Sequence, residues 1–200
     1  MIEPRLAPMT IRPLLCAIGG AALLCGCAAN AAPSPAVPIL TSTSEPASAV
    51  ATLLAAAETS RDDPRQLGRI LAALDAFGAR PLEGSDDPVA PWRAKATMPD
   101  TPPYRGRVLG PAYKAGKLDP GATVRLPQLF DGGRAARVAI ATPGLAALDF
   151  TVLDGEAKPV CPPAKARNRE CMWTPLFSGR FEIVLSNPSG NSAGYYLVID

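Results

Sequence analysis

From residue 104 to the end of the chain, apolar and polar residues alternate with a period of two. Gly, Pro, Asn and Asp residues separate the alternating runs. Short strands that recur about every ten residues, with turn residues between them, predict an antiparallel β-sandwich over residues 104–200. Pro127 predicts that the first strand ends at residue 126, on a sheet edge. The predicted strands cover residues 123–126, 137–142, 148–152, 160–161, 171–173, 180–185 and 195–199.

A helical period comes before the predicted sandwich, over residues 45–78. Apolar residues recur there every three or four positions, which predicts two helices in a hairpin. Ser44 is expected to cap the first helix, Asp63 and Pro64 to begin the second, and Gly78 to end it. The apolar faces are narrow, so the hairpin is expected to pack against the sandwich, another protein or only itself. The repeating residues are Val50, Leu53, Leu54 and Ala57, then Leu67, Ile70, Leu71, Leu74 and Phe77.

Residues 79–103, between the hairpin and the sandwich, are rich in proline and predict an irregular linker. Asp86 and Asp87 stand between a serine and a proline, a setting typical of a turn or a helix cap. Trp92 is expected to fix the linker onto the folded domain rather than to bind a ligand.

The N-terminus has the pattern of an export signal over residues 1–27. Arg5 and Arg12 give it positive charge, and the apolar stretch 13–25 that follows is too short to span a bilayer as a helix. Met9 is an alternative start. Residues 28–44 are small, polar and rich in proline, which predicts a disordered, flexible tether.

The end of this signal, Leu24-Cys25-Gly26-Cys27, resembles the lipobox of bacterial lipoproteins. The resemblance implies that Cys27 is the lipid-attachment residue, and Ala28 after it implies sorting to the outer membrane. The alternative is ordinary signal cleavage after Ala29-Asn30-Ala31, which would give a soluble periplasmic or secreted protein.

Five cysteines are present, and their positions predict one disulfide. Cys16 and Cys25 would leave with the signal, and Cys27 would carry lipid. Cys161 and Cys171 then remain as a pair in an oxidising compartment, where a disulfide is expected across a loop with a basic tip. Two isolated cysteines in a chain without histidine make a poor metal site.

The complete absence of histidine excludes several enzyme classes. Ser-His-Asp and Cys-His catalysis, histidine-based zinc chemistry and an imidazole general base all need a residue that the chain lacks. The formal net charge of +2 is too small to predict a polyanionic partner, so nucleic acid is not expected. No cofactor is expected either.

The order of motifs over residues 105–200 resembles the bacterial pre-peptidase C-terminal domains. The resemblance implies a small jelly-roll-like sandwich with a non-catalytic, accessory or binding role. The acidic segment of that family survives here only as Asp149. The motifs are Gly121-x-x-Val124-x-Leu126, Leu148-Asp149-Phe150-Thr151-Val152, Trp173-Thr174-Pro175, Gly179-Arg180-Phe181-Glu182-Ile183 and Tyr195-Tyr196-Leu197-Val198.

Lys165, Arg167, Arg169 and Trp173 are the candidate binding residues. Three cations in a loop closed by a disulfide would form a preorganised tip for a carboxylate or phosphate on a lipid, glycan or protein. The alternative is that these charges only keep a proline-rich loop soluble and that Trp173 belongs to the core.

Two other functions stay open. A glycan hydrolase with a carboxylate pair would draw on Asp149, Asp154, Glu156 and Glu182. A calcium-binding sandwich would use Asp131, Asp154 and Glu156 near turns.

The leading expectation is a non-enzymatic envelope protein on the outer membrane, facing the periplasm or the surface. Its expected partners are the membrane, through the lipid, and an envelope protein or glycan.

Overall fold

The structure is a computed structural model that describes residues 45–100 and 110–200, which belong to one compact unit. The predicted signal (1–27), the lipid-attachment residue Cys27 and the tether (28–44) lie outside the described residues. Among the residues described, every helix is too short or too polar to cross a lipid bilayer.

Three helices and nine strands make up the described parts of the chain. The helices are α1 (Pro46–Thr59), α2 (Pro64–Ala76) and α3 (Val89–Arg93). The strands are β1 (Arg80–Pro81), β2 (Ala112–Leu118), β3 (Thr123–Phe130), β4 (Ala136–Ala141), β5 (Leu148–Leu153), β6 (Pro159–Ala166), β7 (Asn168–Trp173), β8 (Gly179–Ser186) and β9 (Ala193–Ile199).

The strands form two sheets that pack as a sandwich. One sheet has the order β1-β2-β9-β4-β7, and the other has the order β3-β8-β5-β6. All pairs are antiparallel except the short parallel pair of β1 and β2. The chain passes from one sheet to the other at nearly every connection, and the strand orders are those of a jelly roll. The predicted fold, a jelly-roll-like sandwich after a helical hairpin, is confirmed.

The core between the sheets comes from alternating residues, as the sequence pattern predicted. Leu148, Phe150 and Val152 of β5 point into it and are fully buried, and Ile183 and Leu185 of β8 lie beside them. The side chains between these residues point away from the core, because successive side chains of a strand lie on opposite faces.

A second core lies between the five-stranded sheet and the helices. In β4, Val138 and Ile140 face the other sheet, whereas Ala139 and Ala141 face the helices. Alanine on that face lets α1 approach β4 and β9 closely. The helical hairpin therefore packs against the sandwich. The result is three layers: the helices, the five-stranded sheet and the four-stranded sheet.

The helix boundaries agree with most of the predicted signals. The Asp63 side chain accepts hydrogen bonds from the backbone N–H groups of Arg65 (3.1 Å) and Gln66 (3.0 Å) at the start of α2. Gly78 has a positive φ of 64° just after the helix. At α1 the N-cap is Glu45, which makes no capping bond. The predicted cap, Ser44, lies outside the described residues.

Residues 79–100 are more regular than predicted. They include β1 and α3, and Asp87 accepts a hydrogen bond from Val89 N–H (2.9 Å) at the start of α3. Trp92 of α3 is buried and meets the Tyr196 ring edge-on at a centroid distance of 6.1 Å. The expectation that Trp92 fixes this segment onto the domain is confirmed.

Two predictions about strands were wrong. The sequence predicted no strand at Ala112–Leu118, because lysine, alanine and glycine have weak β propensity, yet pairing with β9 makes this segment β2. The first predicted strand was to end before Pro127, but β3 continues to Phe130. Proline is tolerated there because β3 is an edge strand, where a missing N–H donor can face solvent.

The predicted disulfide between Cys161 and Cys171 is confirmed, but the basic loop that it was expected to close is not a loop. Residues 159–173 form β6 and β7, and only Arg167 lies between the two strands. β6 is an edge strand of the four-stranded sheet and β7 is an edge strand of the five-stranded sheet. The disulfide therefore joins the two sheets along one side of the sandwich.

Candidate functional site

Lys165 and Arg167 lie exposed at the edge where the chain crosses from β6 to β7. Lys165 is directly opposite Asp149 in the pairing of β6 with β5. Neither cation makes an ion pair within the described ranges 45–100 and 110–200. Both stay candidate binding residues.

Arg169, in contrast to Lys165 and Arg167, makes contacts within the fold. Its guanidinium donates a hydrogen bond to the carbonyl oxygen of Pro162 (2.8 Å) and lies 5.9 Å from the centroid of the Phe150 ring. It therefore ties β7 to β6 beside the core. The neighbouring Asn168 donates a hydrogen bond to the Thr52 hydroxyl of α1 (2.8 Å), which holds this edge against the helix layer.

Trp173 lies at the other end of β7, about 16 Å from Asn168 at the usual rise of a strand. The structure therefore does not bring Trp173 together with the cations at residues 165–169. Its ring packs against Phe130 at a centroid distance of 4.8 Å and against Phe181 at 5.2 Å. Trp173 is only half-buried, so it belongs both to the edge of the core and to the surface.

The five residues after Trp173, Thr174–Ser178, form what we call the apolar loop. Its backbone rests on the turn between β3 and β4: Gly133 N–H donates to the Pro175 carbonyl oxygen (2.8 Å), and Gly132 N–H donates to the Ser178 hydroxyl (2.9 Å). A Cβ at Gly132 would lie 2.8 Å from the Phe177 Cα. Glycine is therefore needed at 132 for the loop to lie this close.

The two largest side chains of the apolar loop point into solvent. Leu176 is 88% exposed and Phe177 is 84% exposed. A groove of about 470 Å³ lies beside them, lined by Trp173, Arg180 and Phe181 among others. The loop thus presents an aromatic and an aliphatic side chain next to an aromatic groove.

The sequence reasoning missed Leu176 and Phe177. A signal was available, because two large apolar residues follow Pro175 outside any alternating run. Position in the sequence alone does not show whether such a pair turns inward or outward.

A cavity of about 740 Å³ lies between the C-terminal end of α1, the segment 84–88 and the ends of β2 and β9. We call it the tyrosine cavity. The Tyr196 hydroxyl donates a hydrogen bond to the Glu58 carboxylate in its wall. Behind the segment 84–88, the Tyr113 hydroxyl donates to Asp87 Oδ1 (2.7 Å).

The environment of both tyrosines keeps them protonated. Burial, followed by the hydrogen bond to Glu58, raises the pKa of Tyr196 far above its usual range. Burial and the hydrogen bond to Asp87 raise the pKa of Tyr113 in the same way. The two hydroxyls therefore remain donors that hold their carboxylates in place.

Three of the four acidic residues considered for glycan hydrolysis, Asp154, Glu156 and Glu182, have partners within the fold. Asp154 accepts hydrogen bonds from the backbone N–H groups of Glu156 and Lys158 at 2.9 Å each, and Glu156 pairs with Lys158 Nζ (2.6 Å). Glu182 pairs with Arg125 at 2.5 Å. Asp149 is at the far end of β5 from Asp154. The hydrolase stays a prediction.

The structure does not group Asp131, Asp154 and Glu156, the residues considered for a calcium site, into a cluster that could hold a metal ion. Asp131 pairs with Arg134 at 3.2 Å. No group of three or more His, Cys, Asp or Glu residues in the described parts of the chain is arranged to hold a metal ion.

No protein-family model matches the chain, and no curated protein matches it either. Among solved structures, PliG of Aeromonas hydrophila, a periplasmic inhibitor of g-type lysozyme, is 16% identical with a TM-score of 0.35; the match covers 45% of this chain and 84% of that one. The Yersinia pseudotuberculosis-derived mitogen is 13% identical with a TM-score of 0.38, over 45% of this chain and 84% of that one.

The pre-peptidase C-terminal domain of a Bacillus anthracis collagenase is also similar. It is 9% identical with a TM-score of 0.35, over 44% of this chain and 88% of that one. It belongs to the family that the motifs of residues 105–200 resemble. Likenesses of this strength say nothing about what this chain binds.

Proposed function

We propose that this chain is a non-enzymatic exported protein of the bacterial envelope, held at the membrane by lipid on Cys27, whose sandwich docks a partner protein through the apolar loop. The observation that carries the docking role is the exposure of Leu176 and Phe177 on a loop whose backbone is fixed. The cationic edge at Lys165 and Arg167 is a second candidate surface.

The energetic argument starts from the cost of leaving these side chains in water. Full burial of one leucine or phenylalanine side chain is worth about 1.5–3 kcal/mol, so the pair offers about 3–6 kcal/mol to a surface that covers it. Folding of the loop does not gain this free energy, because both side chains stay in water. Binding to a partner with an apolar socket would gain it.

Preorganisation adds to this potential. Two hydrogen bonds from Gly132 and Gly133 already hold the loop, so little backbone entropy remains to be lost on binding. Aromatic side chains fixed at the centre of a contact are typical anchors of protein interfaces. Phe177 is an aromatic side chain on a loop whose backbone is held, and the groove at Trp173 lies beside it.

The charge next to the loop indicates the chemistry of the partner. Arg180 lines the groove and makes no ion pair within the part of the chain that the structure describes. Acidic groups around the partner's apolar socket would therefore complement the loop. A lipid bilayer offers the apolar phase without a shaped socket, and it is the competing occupant that the experiment must distinguish.

The membrane attachment rests on the sequence and on the disulfide. Leu24-Cys25-Gly26-Cys27 resembles a lipobox, and a disulfide such as Cys161–Cys171 persists in an oxidising, exported compartment. Ordinary signal cleavage remains the alternative, and it would leave the docking role unchanged.

Crosslinking in living cells tests the docking role. Phe177 is replaced by photoreactive benzoyl-phenylalanine, and Leu145 is replaced in the same way as a matched control. Leu145 is 87% exposed on the turn between β4 and β5, away from the apolar loop. We expect a discrete protein adduct from position 177 that is absent from position 145.

The adduct must then depend on the loop. With the identified partner purified, Leu176→Ser combined with Phe177→Ser should weaken binding by at least about tenfold, equivalent to about 1.4 kcal/mol, whereas Leu145→Ser should not change it. No adduct at position 177, equal adducts at both positions, or adducts to lipid alone would each reject protein docking.

Lipid attachment has its own test. Cells are labelled with a palmitate analogue, and the protein is expected to carry label that Cys27→Ser removes. Cys161→Ser serves as the matched control and should keep the label. An unlabelled wild-type protein, or label that survives in Cys27→Ser, would reject the anchor.

A further inference from the structure

The tyrosine cavity is a second site, separate from the apolar loop. Its volume of about 740 Å³ lies within the range of about 300–1,000 Å³ that is usual for small-molecule sites. It forms where the helix layer ends over the sheet, so neither the helices nor the sandwich alone would create it. Tyr195 and Tyr196 of β9 and Glu58 of α1 contribute to its walls.

Glycine keeps the floor of the cavity open. Gly194 of β9 lies opposite Lys117 of β2, and its φ is not positive. The nearest atom to a Cβ there would be Pro143 Cγ at 3.5 Å, which is an ordinary van der Waals contact. Backbone conformation therefore does not require glycine at 194. A larger side chain would fit the strand and would occupy space that is now open.

The walls combine hydrogen-bond acceptors with donors. Glu58, Asp86 and Asp87 supply carboxylates, and Lys114 and Lys117 supply ammonium groups. Glu58 and Asp87 are held by tyrosine hydroxyls and retain further lone pairs, because a carboxylate accepts several hydrogen bonds. The lysines make no ion pair in residues 45–100 or 110–200.

This combination selects a class of ligand. A simple anion would meet three carboxylates, and a simple cation would meet two ammonium groups, so each would be opposed by part of the wall. Each hydroxyl group of a neutral polyhydroxy molecule can both donate and accept a hydrogen bond. Such a molecule can therefore donate to the carboxylates and accept from the ammonium groups.

We infer that the tyrosine cavity binds a short neutral saccharide, held by the carboxylates at Glu58 and Asp87 and by the ammonium groups at Lys114 and Lys117. The site is independent of the docking role proposed for the apolar loop. Failure of one leaves the other standing.

Titration of the full-length chain, labelled with nitrogen-15 and solubilised in detergent, tests the site. The probes are maltose, cellobiose and N,N′-diacetylchitobiose, each raised to about 10 mM so that weak binding is also detected. Glycine amides report the location. Gly116 and Gly194 line the cavity, whereas Gly121 and Gly133 lie in turns away from it. At least one probe should shift the first pair and leave the second pair unchanged.

Two variants remove the site, and one serves as a control. Gly194→Leu should abolish the shift at Gly116 by filling the cavity. Glu58→Gln should weaken binding about tenfold. The amide has nearly the same shape as the carboxylate but lacks the negative charge that strengthens its hydrogen bonds. Gly190→Leu adds the same side chain at a position where nothing lies within 4 Å and should bind normally. The unshifted glycines and the melting temperature verify folding in each variant.

Three results would overturn the inference. The first is that no disaccharide shifts Gly116 or Gly194. The second is that binding survives in Gly194→Leu while the fold is intact. The third is that sodium sulfate, used as an anionic probe, produces the same shifts, which would make the cavity an anion site.

Discussion

The two sheets of the sandwich have different surroundings, although they share one core. The five-stranded sheet is covered on both faces, by the other sheet and by the helices. The four-stranded sheet has one face open, where Arg125 and Glu182 form an ion pair in solvent. Packing therefore constrains both faces of the five-stranded sheet, whereas the exposed face of the four-stranded sheet and the loops beside it can vary at little cost to stability.

The largest effect should come from truncating the covered sheet. Ile140→Ala in β4 removes a fully buried side chain and should lower the free energy of unfolding by about 2–5 kcal/mol. Leu129→Ala in β3, where the side chain is 63% exposed, should change it by less than about 0.5 kcal/mol. Urea unfolding of both variants measures the difference. Similar losses in the two variants would contradict the distinction between the covered and the exposed faces.

The second largest loss of stability should come from removing the disulfide that joins the two sheets. Replacing Cys161 and Cys171 together by alanine should cost about 3 kcal/mol on the chain-entropy model, because the unfolded chain loses a closed loop. Guanidinium unfolding of the double variant, beside the wild type with and without reductant, gives the value. If the oxidised and reduced wild type unfold at the same denaturant concentration, the link contributes nothing.

The smallest effect concerns a charge on the covered face. Arg137 pairs with Glu45 (2.8 Å), and Glu170 lies in the same cluster. Partial burial and the charge of Glu45 raise the pKa of Glu170 above its ordinary value of 4.5, although Arg137 opposes this. A carboxyl whose folded pKa is raised destabilises the fold at higher pH, where it must be charged, and the penalty disappears below the ordinary pKa.

Glu170→Gln should therefore raise the melting temperature slightly at pH 7 and should have no such effect near pH 4. Thermal unfolding at both values checks this sign. Glu156→Gln is the matched control, because Glu156 is exposed on a turn and should show neither effect. A destabilised Glu170→Gln at pH 7 would mean that the negative charge supports the cluster.

The elements predicted most accurately from the sequence have one face against the core and the other face against solvent. β5 and β8 alternate because one face meets the core and the other meets solvent, and both were predicted. β2 was missed because its small and charged residues carry no β signal, and its pairing with β9 imposes the strand. The helices followed from their period, but their packing against β4 depends on Ala139 and Ala141, which sequence alone does not single out.

The candidate sites were less accessible to sequence reasoning. Trp173 was identified, but its neighbours in space are Phe130 and Phe181 rather than the cations near it in the chain. The tyrosine cavity draws its walls from several separate segments, among them α1, residues 84–88, β2 and β9. Such a combination appears only once the chain is folded.

The disulfide has a consequence for the integrity of the chain as well. Cys161 and Cys171 enclose β6, β7 and the exposed basic residues Lys165 and Arg167 within one covalent ring. A protease that cuts the backbone inside this ring leaves both products joined through sulfur, with β6 and β7 still attached to their own sheets. The most exposed basic segment of the sandwich is thus a place where the backbone can break without the molecule separating into two.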